Sequence, residues 1–312
     1  MRILVTRLAT SIVLLFVVSA LTFLLMSLLP TDAARVILGT TATQEQYEAL
    51  REQLGLNQPL IVQYGNYLAR VFSGDFGTSI FTGEPVIRSI ANRLPVTLSL
   101  LIPGIIVCAV AGMTFGYLSA LSRGGLRRVL DVLVLVGGAV PGFWLALVMV
   151  SVFAVSLRWF PATGYVPFAT SPGGWATALV LPVAALAIQG AAGVAKITRD
   201  GVLEAMDQDY VRTLRAAGIP RRTIYLRHIL KNTGMQVATV VGLIFVGSLA
   251  GSVFLEQVFV LPGLGALAYS ATNQNDLPVI QGVALTMTLI VIVVNICVDL
   301  SYLALNPKAR TR

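Results

Sequence analysis

The chain has 312 residues, of which 56% are apolar and only 12% charged, about half the roughly 25% typical of soluble domains. With a mean hydropathy of +0.82 it is not a disordered chain, which is polar and charge-rich. Nor is it a water-soluble enzyme, because 14 acidic and 22 basic residues cannot coat so much apolar surface.

A helix needs roughly 20 apolar residues to cross about 30 Å of hydrocarbon, and backbone groups in lipid must bond internally, which selects helices. The uncharged run between Arg7 and Asp32 predicts a span over about 8–29. It is longer than a signal-peptide core and lacks a small-x-small cleavage site, so it reads as a retained helix. Residues 30–95 follow as a helical cap. Thr43 and Gln46 form a capping box for a helix ending before Gly55. Leu60, Tyr64, Tyr67, Leu68 and Val71 recur at helical spacing, and Gly74 and Gly77 end that helix. Two readings of the cap stand: a cover over the bundle, or a docking surface for an external partner.

Further spans are predicted over about 96–121, 132–157, 175–196, 234–255 and 278–304, so residues 1–312 form one all-α membrane domain of six helices. Pro161, Gly164, Pro167, Pro172, Gly173 and Gly174 mark a loop before the fourth. Pro95, Pro103, Pro141 and Pro182 are expected kinks. Small residues recur in the spans at Gly137-Gly138-Ala139, Gly190-Ala191-Ala192-Gly193 and Gly247 with Gly251, the last a spacing for close helix contact. They serve either packing or the lining of a path.

With both termini cytoplasmic, 16 of the 22 Lys and Arg fall inside and six outside, five of those six in the long first loop. The positive-inside rule therefore orients the chain, and the net charge of +8 does not imply nucleic acid. Cys108 and Cys297 both fall in spans and carry neither a disulfide framework nor a metal signature.

The cytoplasmic segment 197–233 carries the densest pattern. Leu203, Met206, Tyr210, Leu214 and Ala217 lie on one face of an amphipathic helix. Glu204, Asp207 and Asp209 occupy its first half and Arg212 and Arg215 its second, as the helix dipole favours. Gly218 stops it, Pro220 follows, and a basic run of Arg221, Arg222, Arg227, His228 and Lys231 leads on. One reading is a surface helix on anionic lipid. The other is a lever whose exposed apolar stripe is gripped by a soluble motor.

At this segment the chain resembles the permease subunits of ATP-binding-cassette importers, in particular the peptide and nickel branch. The resemblance rests on Asp209-Tyr210-Val211-Arg212-Thr213-Leu214-Arg215-Ala216-Ala217-Gly218 and on Arg227-His228-Ile229-Leu230-Lys231-Asn232. It extends through Leu54-Gly55-Leu56-Asn57-Gln58-Pro59-Leu60, Gly74-Asp75-Phe76-Gly77-Thr78-Ser79, Arg93-Leu94-Pro95-Val96-Thr97, Pro141-Gly142-Phe143-Trp144 and Trp159-Phe160-Pro161-Ala162-Thr163-Gly164. Phe259, Leu261-Pro262-Gly263-Leu264-Gly265, Asn295, Asp299 and Asn306-Pro307 complete it. Leu214 stands where that branch has Ala, and Gln236 where it has Pro.

The resemblance implies a type I importer permease in a bacterial cytoplasmic membrane, partnered by a second homologous permease, one or two cytoplasmic ATPase subunits and an extracytoplasmic substrate-binding protein. It implies that Glu204, Asp207, Tyr210, Arg212, Thr213, Leu214, Arg215, Ala216, Ala217, Gly218, Arg227 and His228 form the ATPase-coupling loop. This chain would hold no cofactor of its own, ATP and Mg2+ being bound by the ATPase. Peptides are the expected cargo, with nickel or another small solute as the alternative.

Rival classes find little in the residues. No G-x-x-x-x-G-K-[ST] phosphate loop occurs, nor G-x-S-x-G nor H-E-x-x-H. An ion-coupled carrier keeps ionisable residues deep in its spans, and these span interiors are uncharged. Asn295 and Asp299 share a helix face at i, i+4, as an interhelix polar cluster or as a transport element.

Overall fold

The computed structural model describes residues 2–28, 33–39, 42–53 and 55–305. Asn306-Pro307, Lys308, Arg310 and Arg312 lie outside them, as does Leu54. The described residues are overwhelmingly helical, with one isolated bridge between Thr78 and Pro85. The chain divides into two compact units, Met1–Val96 with Pro262–Ile292, and Thr97–Leu261 with Val293–Arg312.

In the first unit, α1 (Arg2–Ser27) is followed by α2 (Ala33–Leu38), α3 (Gln44–Gln53) and α4 (Leu60–Phe72). The predicted capping box is present: Gln46 N–H donates to Thr43 Oγ1 at 3.3 Å, and Thr43 N–H to Gln46 Oε1 at 3.1 Å. Gly74 and Gly77, at φ +83° and +81°, turn the chain after α4 in the left-handed region that glycine tolerates. The start of α5 (Val86–Leu121) then meets α12 (Leu264–Gln274) and α13 (Leu277–Leu305). Val86 and Ile90 pack there with Leu264, Leu267, Ala271, Val279 and Val283. Buried Asp276 accepts the Ser79 hydroxyl and, at 3.3 Å, the Ile80 N–H, pinning the 74–85 loop to the start of α13. Helix α12, 11 residues long, was not among the predicted elements.

In the second unit, α6 (Gly124–Ala139) leads to α7 (Gly142–Met149), which loosens into a π-helical segment, Val150–Ser156. The third predicted span is therefore broken: the two halves bend by 101° at Val140-Pro141. Proline lacks the N–H that would continue the ladder, and its ring excludes the helical geometry of the residue before it. Pro182 sits inside α8 (Pro172–Asp207), which nevertheless runs on as one helix. Ser171 caps α8 by accepting the Gly174 N–H at 3.1 Å, with Pro172 in the first turn.

Helices α5 and α8 approach closely. A Cβ on Gly112 would come within 2.5 Å of Val194 Cβ, and one on Gly116 within 2.3 Å of the Ala195 carbonyl oxygen. Gly190 meets Cys108 and Ile244, and Gly138 meets Ala192, so those small-residue groups pack helices together. The expected contact at Gly247 and Gly251 is absent among the described residues, since a Cβ at either meets nothing within 4 Å. Thr97 donates to Glu256 Oε1 at 2.8 Å, and both are buried.

Among the described residues, five helices are long and apolar enough to cross a membrane, or six if the bent pair counts as one span. Three expected boundaries move outward. Helix α5 starts ten residues before 96, α8 continues 11 residues past 196, and a single helical run from Arg221 to Val258 replaces the span expected from 234. Charge-free runs locate only the part of a helix that lies in hydrocarbon, whereas helices continue into water wherever their backbone bonds do.

The close approach generates a paired test. Gly116→Ala forces a methyl group into a backbone oxygen and is expected to destabilise the protein by about 2 kcal/mol or more. Gly247→Ala should be close to neutral. Thermal unfolding in detergent, followed by size-exclusion chromatography, separates the two; equal melting points would contradict the packing described.

Candidate functional site

The patterned segment 197–233 forms a bracket. Helix α8 runs to Asp207, and Gln208 at ψ 147° breaks it. Helix α9 (Asp209–Ala216) crosses, a short turn α10 (Arg221–Thr223) and a π-helical segment (Ile224–Ile229) follow, and α11 (Leu230–Val258) carries the chain away. Charge placement matches the break. Asp209 occupies the first turn of α9 and Arg215 its last, the arrangement a helix dipole favours.

This departs from the single amphipathic helix read across 203–217. Leu203 and Met206 belong to α8, so Glu204 and Asp207 lie in its last turns, where the dipole disfavours them. The apolar stripe is divided: Tyr210 and Ala217 are exposed, whereas Leu203, Met206 and Leu214 are half-buried. Val211 is fully buried on α9, against Val202 and Ala205 of α8 and Ile224 and Ile229 of the π-helical segment, with Tyr117, Ala120, Met206, Leu214, Ile219 and Tyr225 around them. Burying each large apolar side chain contributes about 2 kcal/mol. Met206 and Leu214 join this core, which links α8, α9 and the π-helical segment.

What faces outward is polar and small. Asp209, Tyr210, Arg212, Thr213, Arg215, Ala216, Ala217 and Gly218 are all exposed. Arg212 pairs with Asp209 at 3.4 Å, and Thr213 Oγ1 donates to the Asp209 carbonyl. Leu214 is half-buried in the core, on the inner side of α9. Glu204, Asp207 and Arg227 are exposed and His228 half-buried, the last two in the π-helical segment. Asn295 and Asp299 lie apart from this group in sequence, on α13, one exposed and the other half-buried.

Gly218 closes α9. Its φ of +73° lets Ile219 N–H reach the Leu214 carbonyl at 3.2 Å, which satisfies one of the free carbonyls at the helix end. Burial raises the Tyr210 hydroxyl above its usual range, and a hydrogen bond with Asn232 works against that rise. The phenol is therefore neutral at physiological pH and ties α9 to the first turn of α11.

A second polar cluster was not anticipated. Asp131 on α6 accepts from Ser119 on α5 and lies 3.6 Å from Arg199 Nε on α8 and 3.7 Å from Arg127 Nε. Arg127 and Asp131 are i, i+4 neighbours and legible as such. Ser119 and Arg199 arrive from other helices and leave no local trace. At Gln236, where a proline was expected from the resemblance, the helix is unbroken, and its amide oxygen lies 2.6 Å from the place a Cβ on Gly201 would take.

Comparison with known proteins identifies the whole chain. Residues 112–311 match the family described as binding-protein-dependent transport system inner membrane component, and residues 1–101 match its N-terminal companion. A Brucella abortus (strain 2308) protein named as a peptide transport system permease is 42% identical over 305 residues, 97% of each chain. The glutathione transport system permease protein GsiC of Escherichia coli (strain K12) is 37% identical over 307 residues, 98% of each. Among solved structures, the inward-facing MetNI methionine ABC transporter matches with a TM-score of 0.54 at 16% identity, over 70% of this chain and 96% of that one. That likeness establishes the fold.

The glycine cap yields a sharp expectation. Gly218→Ala meets no neighbouring atom, so its cost is the left-handed backbone alone, about 1 kcal/mol. Amide exchange across 214–219 should quicken while membrane insertion is unchanged. Unaltered exchange would show that the cap does not hold the end of α9.

Proposed function

The chain belongs to the family of binding-protein-dependent transport system inner membrane components, and on that premise we propose that it is the permease subunit of a peptide importer, coupled to its ATPase through α9. It is a multi-pass inner-membrane protein of the ATP-binding-cassette importer type. Peptides are the proposed cargo because the relatives that match it almost end to end are named for peptide and glutathione transport. The nickel alternative draws no support from those names.

The observation that carries the coupling is the bracket. Helix α9 presents an exposed face of charged and small residues, while its inner face is locked to α8 and to the run that becomes α11. A push on α9 therefore cannot be absorbed locally. It passes to both long helices, and from α8 to α5 through Gly112 and Gly116. The exposed face is the proposed seat for a cytoplasmic ATPase subunit, which binds ATP and Mg2+ and supplies the energy. Arg212 and Arg215 would meet acidic groups on that partner. One or two ATPase subunits, a substrate-binding protein and a second permease complete the assembly. Support for the second permease comes from α11, where Leu243, Gly247, Ala250, Gly251 and Phe254 form an exposed strip of small residues flanked by large ones.

Two experiments test this reading. In the complete importer, Arg212→Glu with Arg215→Glu should reduce co-purification of the ATPase at least tenfold at low salt and abolish uptake. Normal assembly and uptake at normal expression would refute the assigned face. Gly251→Leu should leave this subunit folded but lower recovery of the second permease; undiminished pairing would remove α11 from that interface. Transport by this chain alone in liposomes under an ion gradient would instead favour a secondary carrier.

A further inference from the structure

Helix α4 reads in the sequence as part of a cap outside the membrane, yet it docks on the middle of a membrane span. Tyr64 Oη shares a hydrogen bond with Ser19 Oγ at 2.7 Å and reaches the Phe16 carbonyl at 3.4 Å. The Phe16 and Phe72 rings lie 6.3 Å apart, and Phe23 packs on both Tyr64 and Tyr67 at 5.4 and 5.8 Å. The apolar window of α1 runs from Ala9 to Ser27. At 1.5 Å per residue the docking residues, Phe16 to Phe23, lie about 6 to 16 Å in from its Ser27 end. Helix α1 exposes large apolar side chains on to its end, with Leu25 at 60% and Leu28 at 69%. Lipid must therefore reach that far along it.

The rest of α4 suits the same depth. Leu60, Tyr64, Tyr67 and Val71 lie on the face toward α1, and beside them runs a second apolar stripe, Ile61, Leu68 and Phe72, spaced i, i+7 and i+11. Ile61 is 81% exposed and Phe72 76%. The polar edge is occupied: Gln63 Nε2 donates to the Leu56 and Gln58 carbonyls, and Asn66 Nδ2 to Gln58 Oε1. Arg70 has a stem long enough to carry its charge to a headgroup. The uncovered stripe is continuous, through the Phe16–Phe72 contact, with the lipid-facing surface of α1.

We propose that α4 lies within the bilayer, in the leaflet entered by the C-terminal half of α1, with Ile61, Leu68 and Phe72 against phospholipid acyl chains. The segment that reads as a water-borne cap is then limited to α2 and α3, and α4 is a membrane-embedded brace for α1.

Nitroxide labels decide the matter. Ile61→Cys and Phe72→Cys are made in a Cys108→Ala, Cys297→Ala background and labelled in the full chain, reconstituted in phosphatidylethanolamine–phosphatidylglycerol liposomes. Leu25→Cys is the lipid reference and Glu48→Cys the aqueous one. Both α4 labels should collide severalfold more often with oxygen than with a water-soluble nickel chelate, as at Leu25. The ratio found at Glu48 would overturn the proposal, and so would exclusion of both reagents, which would mean that protein covers the stripe. Only labelled samples that keep the monodisperse elution of the unlabelled chain are compared.

Discussion

Val202, Ala205, Val211, Ile224 and Ile229 exclude water from one another where two long helices and a short crosspiece meet. Apolar burial is non-directional and would not by itself select a lever. Here it does, because its five members come from three consecutive elements that the chain would otherwise leave hinged at Gln208 and Gly218. The core packs α9 against α8 and the π-helical segment. In the coupling proposed above, a grip on its outward face displaces α8 and α11 together.

The rest of the second unit extends that constraint inward. Two glycines one turn apart, Gly112 and Gly116, bring α5 close to α8, against the Ala191 and Ala195 carbonyls and the Val194 and Thr198 side chains. Ser119, Asp131 and Arg199 add a polar clasp across α5, α6 and α8. Asp131 is partly exposed, so each ion pair contributes at most about 1 kcal/mol. The clasp gives the three helices a defined register more than it gives them stability. The break at Pro141 divides the third predicted span into two helices.

Membrane class and the helical spans were legible in the sequence because each follows from where charges are absent. The capping box at Thr43 and Gln46 and the stop at Gly218 were legible because they are local hydrogen-bond chemistry. The ends of α8 and α11 were not, since lipid leaves its mark on composition only where lipid is. The continuity of the 203–217 helix was not legible for a related reason. Periodicity shows that a face is apolar but not what covers it, and Gln208 breaks the helix without any proline or glycine to mark the place. Contacts such as Tyr210 with Asn232, Ser79 with Asp276 and Thr97 with Glu256 join residues 22 to 197 positions apart. No window of sequence holds both partners.

A transport subunit moved from outside needs stiffness between the point of grip and the membrane. The most direct measurement of that stiffness is the distance between spin labels on Thr213 of α9 and Asp200 of α8 in the assembled importer, taken without nucleotide and with ATP bound. The bracket as described predicts one narrow distribution, unchanged by ATP, while the distance from Thr213 to a matching label on a neighbouring permease shifts. A distribution between 200 and 213 that broadens or moves on ATP binding would mean that the bracket bends, and the account of how α9 drives the helices would be wrong.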